Sequence, residues 1–119
     1  MQPAAILEHL PDAVVAADRE GIIRAWNEAA SRIFGYAPHE AIGQSLDLII
    51  PERLRDAHWK AYDVALEAGT TKNGGKAMRT RAMPKSGEKL YVSMRFAIVR
   101  DAEDRVVGAV ALACEAEGA

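Results

Sequence analysis

His58 is the side chain in this sequence best placed to do chemistry. The residues around it have helical spacing, which puts Leu54, His58, Ala61 and Ala65 on one face at i, i+4, i+7 and i+11. Small residues beside an imidazole leave free volume, room for a flat ligand under the ring. The same ring could serve as a general acid or base, but no second catalytic group converges with it in the sequence. The plainer reading is a polar residue hydrogen-bonded to backbone or half exposed.

The other candidates lie on strands. Residues 89–100 alternate, with Leu90, Val92, Met94, Phe96 and Ile98 on one side and Tyr91, Ser93, Arg95 and Ala97 on the other. Residues 76–83 alternate likewise, with Met78, Thr80 and Ala82 opposed to Arg79, Arg81 and Met83. Met94 and Phe96 therefore line whatever the sheet covers. Met78 carries a flexible thioether side chain that fills irregular core space. Lys72 stands in a Thr-Lys-Asn-Gly-Gly loop, where a lysine is ordinarily solvated. Arg79, Arg81 and Arg95 read as a solvated sheet face with no aromatic platform for stacking bases.

These residues need a frame. The apolar run 13–18, the turn Arg19-Glu20-Gly21 and the strand 22–26 read as a hairpin. Asn27 is the expected N-cap of a helix that begins at Glu28 and closes with Phe34 buried before Gly35. Short helices are expected at 4–10 and 38–42, and the longest helix at 51–67, ended by Gly69. Strands follow at 76–83, 89–100 and 106–114. The last is apolar on both faces, so its second face needs a cover, either the lead-in helix with Ile6, Leu7 and Leu10 or a second subunit.

Composition sets the outer limits. The 119 residues suffice for one domain with one core, and half of them are hydrophobic. A net charge of −2 implies no global attraction to nucleic acid or anionic membrane. Cys114 is the single cysteine, which rules out an internal disulfide and fits a reducing, cytoplasmic location. No apolar run approaches the roughly 20 residues of a membrane span, and no signal peptide is visible. His9 and His39 have no partner at metal spacing, and Gly74-Gly75 is too short for a phosphate loop.

In order, the chain carries Leu10-Pro11-Asp12-Ala13, Asp18 and Gly21, Trp26-Asn27, Phe34-Gly35-Tyr36, Glu40 and Gly43, Ile50-Pro51-Glu52, and Lys85-Ser86-Gly87. This series resembles PAS domains over nearly the whole length. The resemblance implies an α+β fold: a five-stranded antiparallel sheet with helices on one face, often around a ligand pocket. It divides the chain into a lead-in helix (1–10), a PAS domain (11–115) and a tail (116–119) leading toward an output segment outside this sequence.

The segment from Pro51 to His58 further resembles haem-binding PAS oxygen sensors of the FixL and Dos types. That likeness implies His58 as the proximal iron ligand. Met78 falls where FixL-type proteins place a distal arginine, near the distal methionine of Dos-type proteins, which makes it the candidate distal ligand. Leu54, Ala61, Met94 and Phe96 would line the haem pocket, and Lys72 would neutralise a propionate. The missing arginine speaks against FixL-like oxygen stabilisation. Light-sensing PAS relatives need a cysteine in an Asn-Cys-Arg-like helix motif; the long helix has none, which leaves only non-covalent flavin open.

The leading expectation is a sensory module of a signal-transduction protein of the two-component type, with haem as ligand and any catalytic output elsewhere. Its partners would be its own output domain and a second copy, joined through the lead-in helix and outer sheet face. The alternatives are a cofactor-free dimerisation module and a small stand-alone enzyme using His58.

Overall fold

The computed structural model describes residues 1–72 and 75–117; Asn73 and Gly74 of the Thr71–Gly75 loop, and Gly118 and Ala119 of the tail, lie outside the described residues. The chain forms α1 (Pro3–Glu8), β1 (Ala13–Asp18), β2 (Ile23–Trp26), α2 (Glu28–Phe34) and α3 (Pro38–Ala41). Two 3₁₀ turns, Leu46–Ile49 and Glu52–Leu54, lead into α4 (Arg55–Ala68), and β3 (Met78–Ala82), β4 (Leu90–Arg100) and β5 (Val106–Glu115) follow. The strands make one antiparallel sheet in the order β2-β1-β5-β4-β3. This is the expected α+β architecture.

The N-cap at Asn27 does more than end a helix. Its Oδ1 accepts from Ala30 N at 3.0 Å and from Val14 N at 2.9 Å, while its Nδ2 donates to the carbonyls of Leu7 and Asp12. One buried amide thus joins α2, β1 and the lead-in helix, each of its polar atoms satisfied. Phe34 is fully buried and tilts against Trp26, with ring centroids 5.6 Å apart. Around this pair lie Val15, Ile23, Val92, Met94 and Ala113, which form the main core.

Boundaries shift at several elements; the lead-in helix ends at Glu8, short of the expected residue 10. The expected helix 51–67 begins as a 3₁₀ turn and becomes α-helical only at Arg55. Pro51 sets an extended φ/ψ of −54° and 140°, so the chain must turn before the helix can propagate. Ile22 makes only an isolated bridge to Ser45 and lies outside β2. β3 starts at Met78, two residues after the expected 76.

Candidate functional site

The site lies between α4 and the sheet face it covers. Register defines that face. Met78 pairs with Met94, Met94 with Ala113, and Ala113 with Ala13. One layer along, Phe96 pairs with Ala111 and Ala111 with Val15; the next row is Ile98, Ala109 and Ala17. The alternation read from the sequence therefore holds, and β5 and β1 contribute mainly alanine to the middle of the face while β4 contributes Met94, Phe96 and Ile98.

α4 is held over this face by polar tethers more than by burial. Arg55 at its start donates from Nε to Ile50 O and from Nη2 to Asp47 O. Trp59 Nε1 donates to Asp47 Oδ1 at 2.8 Å. The Tyr62 hydroxyl donates to Asp18 O at 2.6 Å and reaches Ala17 O at 3.3 Å. Burial first, and the Asp18 carboxylate second, push the Tyr62 pKa up to about 12, so the hydroxyl remains a donor. At the far end Arg100 Nη2 donates to the carbonyl of Gly69, the left-handed C-cap at φ 73°. Leu66 is the one buried residue of α4.

The packed side of α4 differs from the expected one. Arg55, His58, Trp59, Tyr62, Ala65 and Leu66 are buried or half-buried, whereas Ala61 is exposed. Trp59, Tyr62 and Leu66 have more apolar surface to bury than the alanines and rotate the helix toward themselves. Leu54 is half-buried in the 3₁₀ turn and outside the α-helix. Trp59, Tyr62 and Asp47 are thus site residues the sequence reading missed. The signal was present, since 55, 59, 62 and 66 also share a helical stripe.

His58 is half-buried and packs in a triangle of rings with Trp59, edge-on at 4.7 Å, and Tyr62, tilted at 5.6 Å, which themselves lie 5.5 Å apart, all between centroids. Its Nδ1 is buried and has no hydrogen-bond partner among the described residues. Burial lowers its pKa and the Asp47 carboxylate only partly opposes this, so the imidazole is neutral at neutral pH. A neutral imidazole with an unengaged nitrogen can accept a hydrogen bond or bind a metal through whichever nitrogen is unprotonated.

The remaining candidates divide. Met94 is buried and Phe96 half-buried on the helix-side face. Met78 shares that face at the β3 end and is 42% exposed, which sets it at the margin of the core. Lys72 is exposed in the loop after α4. Cys114 is exposed on β5, opposite Ser93, so it does not face α4. His9 pairs loosely with Glu28 at 3.7 Å, and among the described residues no group of three or more His, Cys, Asp or Glu could hold a metal ion.

Residues 2–113 match the model of the PAS fold. The chain is similar to the sensor protein FixL of Bradyrhizobium diazoefficiens, 43% identical over 53 residues, which is 44% of this chain and 10% of that protein. It is similar to the oxygen sensor protein DosP of Escherichia coli, 33% identical over 82 residues, 68% of this chain and 10% of that one. The matched stretch thus spans about a tenth of either relative's length. Among solved structures, the PAS domain of a Colwellia psychrerythraea protein superposes with a TM-score of 0.81 at 21% identity, covering 95% of this chain and 92% of that one. With the family model spanning nearly every residue and the sheet order and helix placement described above, this chain belongs to the PAS-fold family.

Proposed function

We propose that this PAS domain is the ligand-binding part of a signalling protein and that its ligand is haem, held between α4 and the helix-side face of the sheet. One observation carries the reading: Phe96, Ile98, Ala109 and Ala111, at the middle of the face beneath α4, stay only half-buried. An apolar sheet centre is normally the driest part of such a domain. Here the helix above it buries Leu66 alone, so a flat apolar ligand would cover surface that the chain leaves partly wet.

The donors suit haem. The buried, unpartnered Nδ1 of His58 belongs to a ring kept neutral by its surroundings, which is the form that ligates iron. Met78 offers a thioether from the same sheet face as Met94 and Phe96. Bound haem would supply an iron centre open to a diatomic gas. The chain's residues would orient the macrocycle and exclude water, with His58 and Met78 as the donors toward the iron. The likeness of the Pro51–His58 segment to haem PAS sensors, and the similarity to proteins named as sensors, support the same reading. Ligand occupancy would then bias α4, and through Tyr62 the β1–β2 turn and the sheet.

The test is reconstitution. Protein expressed with ample haem should show a Soret band that His58→Ala abolishes. Absence of haem uptake by the wild-type domain overturns the ligand assignment. A second reading, a cofactor-free dimerisation module, is favoured by the exposed Ile6 and Leu7 on α1 and Val107 and Leu112 on β5. A colourless but dimeric protein would select it.

A further inference from the structure

We propose that the open edge of β3, where Arg81 and Arg53 face one cleft, receives an extended acidic segment of a partner protein as a sixth strand of the sheet. The proposal is independent of what α4 covers. Among the described residues β3 is the terminal strand of the sheet and pairs only with β4. Just past its end, Met83 N donates to Ile49 O at 2.9 Å, away from β4. Antiparallel strands alternate the direction of their backbone groups every residue, so Arg81 and Arg79 turn their N–H and C=O the same way as Met83. At Met83 the edge is closed by the passing chain. At Arg81 it opens into a cleft of about 490 Å³ lined by Pro51, Glu52, Arg53, Arg81 and Met83.

The side chains in this cleft select the occupant. Arg81 is half-buried and lines the cleft, and among the described residues its buried Nε has no hydrogen-bond partner. Among the described residues neither Arg81 nor Arg53 makes an ion pair. A guanidinium is satisfied most strongly by a carboxylate, through two parallel hydrogen bonds. Arg79, two residues along the same strand face, donates from Nη1 to Glu117 O and lies over the Tyr91 ring, so the carboxylate contact falls to Arg81 and Arg53. Pro51 and Met83 supply apolar walls for the intervening side chains. Glu52 also lines the cleft and repels an acid on its side, which favours carboxylates placed toward the arginines. Backbone pairing at an exposed edge, with side-chain pockets for specificity, is an established mode of peptide recognition.

The probe is a fluorescein-labelled hexapeptide alternating valine and glutamate, titrated by fluorescence polarisation, with amide NMR on the domain. The acidic peptide should bind, protect the Arg79 and Arg81 amides from exchange, and lose affinity in salt. Arg81→Gln and Arg53→Gln should each weaken it about tenfold, the loss of one charge-assisted contact. Arg53 is exposed on a 3₁₀ turn, so its variant keeps the test valid should Arg81→Gln disturb the strand. The same peptide with alternate backbone nitrogens methylated should fail to bind. Equal binding by the methylated peptide would reduce the site to a charged patch and overturn strand addition. So would no binding by the acidic peptide, amide changes confined to other elements, or β3 protection that grows with protein concentration alone, which would assign the edge to a second copy.

Discussion

The indole of Trp59 occupies the space where a side chain on Gly21 would begin: a Cβ there would overlap the ring. Gly21 is also in the left-handed region, at φ 77°, where L side chains are strained. Its carbonyl accepts from Leu46 N at 2.9 Å, so the β1–β2 turn, the chain entering the first 3₁₀ turn and α4 meet at one residue. Trp59 directly follows His58, and this contact therefore fixes how the candidate site is presented.

Gly21→Ala should destabilise the domain by about 1–3 kcal/mol, combining backbone strain with the clash. Urea denaturation measures it. In a Trp59→Ala background the same substitution should cost distinctly less, since only the φ term remains. An equal cost in both backgrounds would mean that the indole does not rest on the glycine.

Phe34 is fully buried beside Trp26, and its backbone carbonyl accepts from Lys85 N at 2.8 Å. Truncation to alanine leaves a ring-sized cavity and should cost about 3–5 kcal/mol. A loss below about 1 kcal/mol in denaturant titration would show that the site collapses around the missing ring.

The proposed axial roles separate by substitution. His58→Ala should abolish stable haem binding. Met78→Ala should leave haem bound while changing the ferrous spectrum and gas affinity. His9→Ala and His39→Ala, both at exposed positions, should leave the spectrum as it is. Unchanged uptake in His58→Ala would move the iron ligand elsewhere.

Burial lowers the His58 pKa, and the sign of its contribution follows. Below about pH 6.5 the unfolded chain's imidazole takes up a proton that the folded one resists. The unfolded state then binds more protons, so stability falls as pH drops from about 6.5 through the lowered folded value, and the effect levels off beneath it. Thermal melts of wild type and His58→Gln between neutral and mildly acidic pH should diverge in that window. Parallel curves would show an imidazole that titrates alike in both states.

Ile6 and Leu7 are 47% and 46% exposed, and Leu112 on the outer face of β5 is 37% exposed. We propose that a second copy covers them. Light scattering at rising concentration should show a dimer, and Ile6→Lys should dissociate it with the fold intact by circular dichroism. A monomer at every concentration would exclude this interface.

Much of the frame was legible in residue order alone. The β1–β2 hairpin, the Asn27 cap, the buried Phe34 and the alternation along β4 each follow from local rules: turn chemistry, capping hydrogen bonds and the two-residue period of a strand. The PAS motif series then fixed their order in space. Tertiary structure alone decided which way α4 turns. Several faces of that helix had helical spacing, and the competition went to Trp59, Tyr62 and Leu66, whose bulk and hydrogen bonds to Asp47 and the β1 carbonyls outweigh a stripe of alanines. That choice left Ala61 exposed and set His58 against the Trp59 and Tyr62 rings with an Nδ1 that has no partner among the described residues. Tertiary structure also set the β3 edge. Arg53 and Arg81 are distant in sequence, and no local rule foretells that a 3₁₀ turn after Pro51 will bring them to one cleft.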